Sequence, residues 1–375
     1  MTKLKFEVAT LASAIKKASR IAPTKAGKAL DSSAGIIFEI SPHYPNQVTL
    51  KATNLEVFYL EVVPALEVTA SESVVWRLSS SILASIIGSY PLGSGQTMTM
   101  EQKGAQVHLT QQRSRGRLNM MRPEGYPQWH PIPPGELSNV EKFGALIAAV
   151  EWAAAKRGEP PLTGVHLNGH AIAATDRYRM ALIPCAVELP APVTIPSGIL
   201  GAVLRPEADC QMGMVDNTLL LMPDEATQIR TVIYDVQFPN VSNFAQYTPP
   251  AMIEVNKSGI LDILQRAVIM TQNERDVPTI SVIVGKGEFA AMGADQEMGL
   301  LGDSILLNGN QAAHPRVTWK FTPQNIIDGI SNCPSDKVVI YYNPDDTSKP
   351  WKVDGGSGYI AVGVPREEGR AEATA

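Results

Sequence analysis

Apolar positions along this chain switch repeatedly between two periods, and the switches come in the same order three times. Residues 6–18 read as a strand running into an amphipathic helix, whose buried face is Leu11, Ile15, Ala18 and Ala22. Lys16, Lys17 and Arg20 fall away from that stripe, and Lys25 and Lys28 follow it. Comparable patterns recur over 140–154 and 253–270. A second helical signature follows each copy: Leu78-Ser-Ser-Ser-Ile-Leu-Ala-Ser-Ile86, Ile195-Pro-Ser-Gly-Ile-Leu-Gly-Ala-Val203 and Thr322-Pro-Gln-Asn-Ile-Ile-Asp-Gly-Ile330. The repeat interval is roughly 120 residues, the size of a small domain.

Between the two helices of the first copy, apolar runs predict strands over 35–40, 48–53, 55–63 and 73–78. The helix from Ser80 is expected to reach Tyr90 and stop at Pro91. Short alternating segments at 97–101, 106–110 and 117–121 complete the copy. Proline and glycine crowd residues 124–135, and prolines at both ends mark a second boundary over 238–250. Both boundaries begin with an aromatic–proline pair, Tyr126-Pro127 and Phe238-Pro239. The predicted organisation is three modules, 1–128, 136–247 and 251–366, then a small charged tail over 367–375 expected to be disordered. Antiparallel strands covered by two helices per module make an α+β pattern.

Composition narrows the class. With 44% apolar and 18% charged residues, each module can bury a core. No apolar run approaches the roughly 18 residues of a membrane helix. The N-terminus lacks the apolar stretch of a signal peptide, so a cytoplasmic protein is expected. Cys185, Cys210 and Cys333 stand far apart, without the spacing of a disulfide framework or a zinc site. The net charge of −5 argues against indiscriminate adhesion to nucleic acid but permits a local basic face.

No catalytic constellation emerges, so an enzyme is not expected and no cofactor is implied. A phosphate-binding loop and a nucleophile elbow are both missing. Gly285-Lys-Gly287 and Gly355-Gly-Ser-Gly358 sit between strand-like runs and read as hairpin turns. His166 and His170 have the spacing of a helical zinc pair, with Asp176 nearby, which keeps a metal hydrolase as an alternative. Residues 164–174 nevertheless read as two strands around an Asn-Gly turn, which would separate the two histidines. Asp345-Asp346 reads as solvated loop charge.

Local motifs add a resemblance. Ala52-Thr-Asn-Leu-Glu-Val57 follows a strand in copy one, and Ala174-Thr-Asp-Arg-Tyr-Arg-Met-Ala181 follows one in copy two. Met292-Gly-Ala-Asp-Gln-Glu297 holds the corresponding place in copy three. The chain thereby resembles the bacterial DNA polymerase III beta subunit, the sliding clamp, from about residue 5 to residue 365. The resemblance implies a DNA clamp fold in a head-to-tail homodimeric ring around duplex DNA, a processivity factor that tethers the polymerase and is opened by a separate clamp loader. A ring-shaped protein-interaction scaffold without a replication role is the alternative.

What the resemblance implies for sites is specific. The DNA-facing candidates are Lys16, Lys17, Arg20, Lys25 and Lys28 in copy one, Lys156, Arg157 and Arg205 in copy two, and Arg266 in copy three. A partner-peptide cleft would be lined by Leu167, Thr175, Arg177, Tyr178, Arg179 and Met180. Pro239, Asn243 and Phe244 would join them from the boundary, and Val362, Val364 and Pro365 from the C-terminal strand. Arg177 and Tyr178 stand where the family usually has Gly-His, a change expected to narrow or reshape the cleft. Leu118 and Met120 match the family's dimer-interface strand, and Ile269 and Met270 the surface that meets it.

Overall fold

A computed structural model of the chain describes residues 2–23, 32–133, 137–271, 278–295 and 297–366. Lys25, Lys28 and the tail over 367–375 lie outside the described residues.

The first stretch runs β1 (Lys3–Glu7), α1 (Val8–Ile21), β2 (Ile36–Ile40), β3 (Gln47–Thr53), β4 (Val57–Pro64), β5 (Glu67–Thr69) and β6 (Val74–Leu78). Helix α2 (Ser80–Gly88) and strands β7 (Thr97–Lys103), β8 (Gln106–Gln111) and β9 (Ser114–Asn119) close it. The order then repeats: β10 (Ser138–Val140), α3 (Phe143–Glu151), β11 (Gly164–Leu167), β12 (Ala171–Thr175), β13 (Arg179–Pro184) and β14 (Val193–Pro196). It continues with α4 (Leu200–Val203), β15 (Cys210–Val215), β16 (Thr218–Asp224), β17 (Thr227–Val232) and the short α5 (Ser242–Gln246). The last stretch runs β18 (Ala251–Asn256), α6 (Lys257–Ile269), β19 (Ile280–Gly285), β20 (Glu288–Asp295), β21 (Gly299–Leu306) and β22 (Val317–Phe321). It ends in α7 (Pro323–Ser331), β23 (Lys337–Tyr342), β24 (Trp351–Asp354) and β25 (Ile360–Gly363).

Several boundaries depart from expectation for local reasons. Strand β4 begins at Val57 rather than Leu55, because Leu55 takes a left-handed φ of 79° in the preceding turn. Helix α4 is one turn long, with Gly198 at φ 83° before it and Gly201 inside it. Helix α7, with proline in its first turn, reaches Ser331. The one-turn helix α5, inside the second boundary, was not foreseen. The expected hairpins are present: Lys286 and Gly287 take φ of 54° and 73° between β19 and β20, the handedness a two-residue turn requires.

Two compact units result. The first combines Met1–Phe143 with Ile199–Ile233, and the second combines Gly144–Gly198 with the chain from Tyr234 onward. Residues 136–247, read as one module, therefore contribute to both. The first unit holds a five-stranded sheet, β5-β1-β7-β8-β9, and an eight-stranded sheet, β10-β15-β16-β17-β4-β3-β2-β6. The second holds an eight-stranded sheet, β14-β11-β12-β13-β25-β24-β23-β18, and a four-stranded sheet, β21-β20-β19-β22. The recorded strand pairings are antiparallel.

Helix α1 buries Val8, Leu11, Ala14, Ile15, Ala18 and Ile21 against β3, β4 and α2, close to the predicted stripe. Fully burying Val8, Leu11, Ile15 and Ile21 stabilises by roughly 1.5–3 kcal/mol each. In the second unit α6 buries Ile260, Ile263, Leu264 and Ala267 beside β20 and β21. It lies so close that a Cβ at Gly293 of β20 would stand 1.9 Å from the Ala267 carbonyl oxygen, so glycine is required there. All three cysteines are buried and unpaired, and burial pushes the Cys210 and Cys333 thiols up to about 12. No helix among the described residues is long and apolar enough to cross a membrane.

Candidate functional site

A concavity in the second unit grows from one tight turn between β12 and β13. Thr175 Oγ1 donates to the Arg179 carbonyl at 2.7 Å and accepts the Arg177 N–H at 3.2 Å. Asp176 Oδ1 accepts the N–H groups of Tyr178 and Arg179, at 3.0 and 2.9 Å. Thr and Asp are suited to such a turn because their short polar side chains replace backbone partners. Arg177, at its tip, is driven to φ 80° and left exposed.

Three strands then set one wall. Thr175 pairs across to Met180, and Met180 to Val362, so the three stand side by side on one sheet face. The Val364 N–H donates to the Tyr178 carbonyl at 2.9 Å, extending the β25 edge alongside the turn. The opposite wall is the segment through α5. It is anchored upstream by Phe238, whose ring stacks on His166 at 4.5 Å with planes 2° apart. Downstream, Lys352 Nζ donates to the Ala245 carbonyl at 2.8 Å and holds α5 over β24. His166 also shares a 3.0 Å hydrogen bond with Thr194, and burial lowers its pKa.

Between these walls lies a cavity of about 220 Å³. The cleft candidates other than Leu167, Asn243 and Pro365 line it, together with Asn240 and Val241. Leu167 is fully buried in the sheet core. Asn240 and Val241 were missed because only Pro239, Asn243 and Phe244 were carried over by position from the boundary at 238–250. Their place directly after Phe238-Pro239, beside two residues already singled out, was the available signal.

The two arginines of the turn differ in availability. Arg179 is buried, ion-paired to Asp176 at 2.9 Å and to Asp328 at 3.4 Å, with its guanidinium over the Trp152 ring. It braces β13 against α7 and the end of α3. Arg177 makes no such pair among the described residues. The cavity is therefore an apolar well with one free cation at its edge.

The basic candidates are only partly gathered. In the first unit Lys16, Lys17 and Arg20 share α1, and Arg205 follows α4. Lys17 is half-buried and paired to Glu61 at 2.6 Å, an acid that also accepts from Tyr59. Arg20 donates to the Ala202 carbonyl at 2.6 Å, tying α1 to α4. Lys16 is exposed, with no ion-pair partner among the described residues. In the second unit Lys156 and Arg157 are exposed in the loop after α3, while Arg266 pairs with Asp303 of β21 at 2.8 Å.

The interface candidates are also divided. Leu118 on β9 is buried and Met120 half-buried, whereas Ile269 at the end of α6 is exposed and Met270 half-buried. Strands β9 and β21 are each the last of their sheets. Strand β21 exposes Leu300 and Leu306, the latter by 85%. It was missed as an edge because its apolar residues follow neither period cleanly. The hairpin expected at Asn168-Gly169 separates the two histidines, leaving His166 against Phe238 and His170 in the turn.

This arrangement of sheets and helices is the sliding-clamp fold. The solved DNA polymerase III beta subunit of Thermotoga maritima matches with a TM-score of 0.78 at 16% identity, covering 98% of this chain and 100% of that one. The beta chain of Streptococcus pneumoniae matches with a TM-score of 0.77 at 19% identity, over 98% and 100% of the two chains. The Pseudomonas aeruginosa sliding clamp, solved bound to griselimycin, matches with a TM-score of 0.75 at 14% identity, over 98% and 99%. No protein-family model matches the chain, and no curated protein matches it in sequence. At such identities the likeness establishes the fold.

Proposed function

We propose that this chain is a DNA sliding clamp, a non-enzymatic processivity factor built of three modules and closed as a head-to-tail homodimer around duplex DNA. The observation that carries the proposal is a fold match along essentially the whole length of both chains, joined to a cavity made by residues expected to bind a partner peptide. The cavity suits a short apolar segment docking beside a few polar groups. Polymerase and loader are the partners this proposal requires.

Two further features support it. Strands β9 and β21 end their sheets with unpaired backbone groups, a liability that pairing β9 of one copy with β21 of the other removes. Exposed Lys16, Lys156, Arg157 and Arg205 supply scattered positive charge, enough for weak phosphate attraction. A topological link needs no more than that, and tight phosphate contacts would oppose sliding. Light scattering should give twice the chain mass, and Leu306→Asp should shift it to the monomer. Protein loaded on circular duplex DNA should be retained and then released when the circle is cut. Retention indifferent to cutting would favour the scaffold alternative instead.

A further inference from the structure

Arg177 occupies the tip of a turn whose other polar groups are already engaged. Its own N–H is held by Thr175, and the carboxylate of Asp176 serves the next two N–H groups and the Arg179 guanidinium. The turn does not demand a cation at this place. The turn between β3 and β4 has the same construction, with Thr53 Oγ1 donating to the Val57 carbonyl and Asn54 accepting two N–H groups, and its tip is Leu55 at φ 79°. Holding a side chain at positive φ is unfavourable for leucine and arginine alike, so the turn itself gives no reason for the charge.

Nothing within the cavity neutralises that charge. Its lining contains no Asp or Glu. The acid adjacent in sequence, Asp176, and the acid from α7, Asp328, both pair with buried Arg179. An apolar well of about 220 Å³ thus carries an unbalanced cation at its mouth, beside the half-exposed ring of Tyr178. Such a site favours an apolar anchor flanked by a carboxylate and opposes one flanked by lysine or arginine.

Resting on the peptide-cleft reading above, we infer that Arg177 makes this cleft selective for a partner segment that carries a carboxylate next to its apolar anchor. The probes are two fluorescein-labelled peptides, Gly-Ser-Asp-Leu-Phe-Gly and its counterpart with Asn for Asp, titrated with the full chain and followed by anisotropy. At low salt the Asp peptide should bind roughly three- to fivefold tighter, the range of an exposed ion pair. The ratio should fall toward one at high salt and in Arg177→Gln, and Arg177→Glu should reverse the preference. Equal binding of both peptides to the unaltered chain overturns the selectivity and leaves the cleft standing, as does a preference that survives in Arg177→Gln. Binding by neither peptide, or binding unaffected when Val241→Trp fills the cavity, overturns the cleft itself and the selectivity with it.

Discussion

The first and second units carry the same frame around one position and fill it differently. In each, a Thr-Asx turn with a left-handed tip residue precedes a strand, at Leu55 and at Arg177. In each, the carbonyl next to the tip accepts a valine N–H at 2.9 Å, Val232 to Glu56 and Val364 to Tyr178. In each, an aromatic–proline pair starts the segment laid over that turn. Tyr126 packs on Ile37 in the first unit, and Phe238 stacks on His166 in the second. Two residues after each proline the units part company. Trp129 packs edge-on against Phe58 at 5.3 Å, while its counterpart Val241 lines the cavity together with Met180.

The cations complete the contrast. Lys51, buried beside Trp129, donates to its carbonyl at 2.9 Å, pairs with Glu39 at 2.6 Å and lies 5.5 Å from the ring centroid. Arg77 lies over Tyr126, and Gln228 exchanges two 3.0 Å hydrogen bonds with Ile132. The segment in the first unit is thereby sealed down as its own ligand. The second unit keeps its corresponding groove vacant, with Arg177 unpaired at the rim. A large-to-small difference in the strap, Trp129 against Val241, thus accompanies a filled packing site in one unit and an open cavity in the other.

The largest expected effect comes from emptying the filled site. Trp129→Ala should destabilise the first unit by about 3–5 kcal/mol, as aromatic deletions from packed cores do, read by urea unfolding. A loss below about 1 kcal/mol would mean that the strap is not part of the core. The reciprocal change, Val241→Trp, should leave unfolding nearly unchanged and weaken binding of the Asp-Leu-Phe peptide by tenfold or more, about 1.4 kcal/mol. The smallest effect concerns the anchor of the open segment. Burial lowers the folded-state pKa of His166, so the unfolded chain binds a proton that the folded chain refuses. This histidine's contribution is therefore complete above its unfolded value of about 6.5 and declines as pH falls through the lowered folded value. His166→Phe should flatten that part of the pH–stability profile, and an unchanged slope would locate the dependence elsewhere.

Much of this was legible beforehand, and the residues show why. Periodicity marks which face of an element is buried, so the α1 stripe came out nearly as read. Turn chemistry is local, so the Asn168-Gly169 and Lys286-Gly287 hairpins were recognisable from adjacent residues alone, whereas the two Thr-Asx segments were noted as motifs and not as turns. The residues around the cavity were available only through the family resemblance, carried over by position onto 175–180, the second boundary and the C-terminal strand; periodicity pointed to none of them. Engagement across long separations was not legible. Lys17 and Glu61 are 44 positions apart and nothing in either neighbourhood announces their ion pair. Arg177 and Arg179 look alike in a sequence, and only Asp328 and Trp152, supplied by other elements, make one of them a brace.

By itself the order of residues determined the thrice-recurring succession of strand and helix, the turn types and the buried faces, because each depends on interactions within a few positions. The tertiary structure alone decided that Trp129 closes one groove while Val241 leaves its counterpart open, and which cations remain free. Those outcomes depend on side-chain volume and charge meeting across distant strands, where no local pattern carries the information.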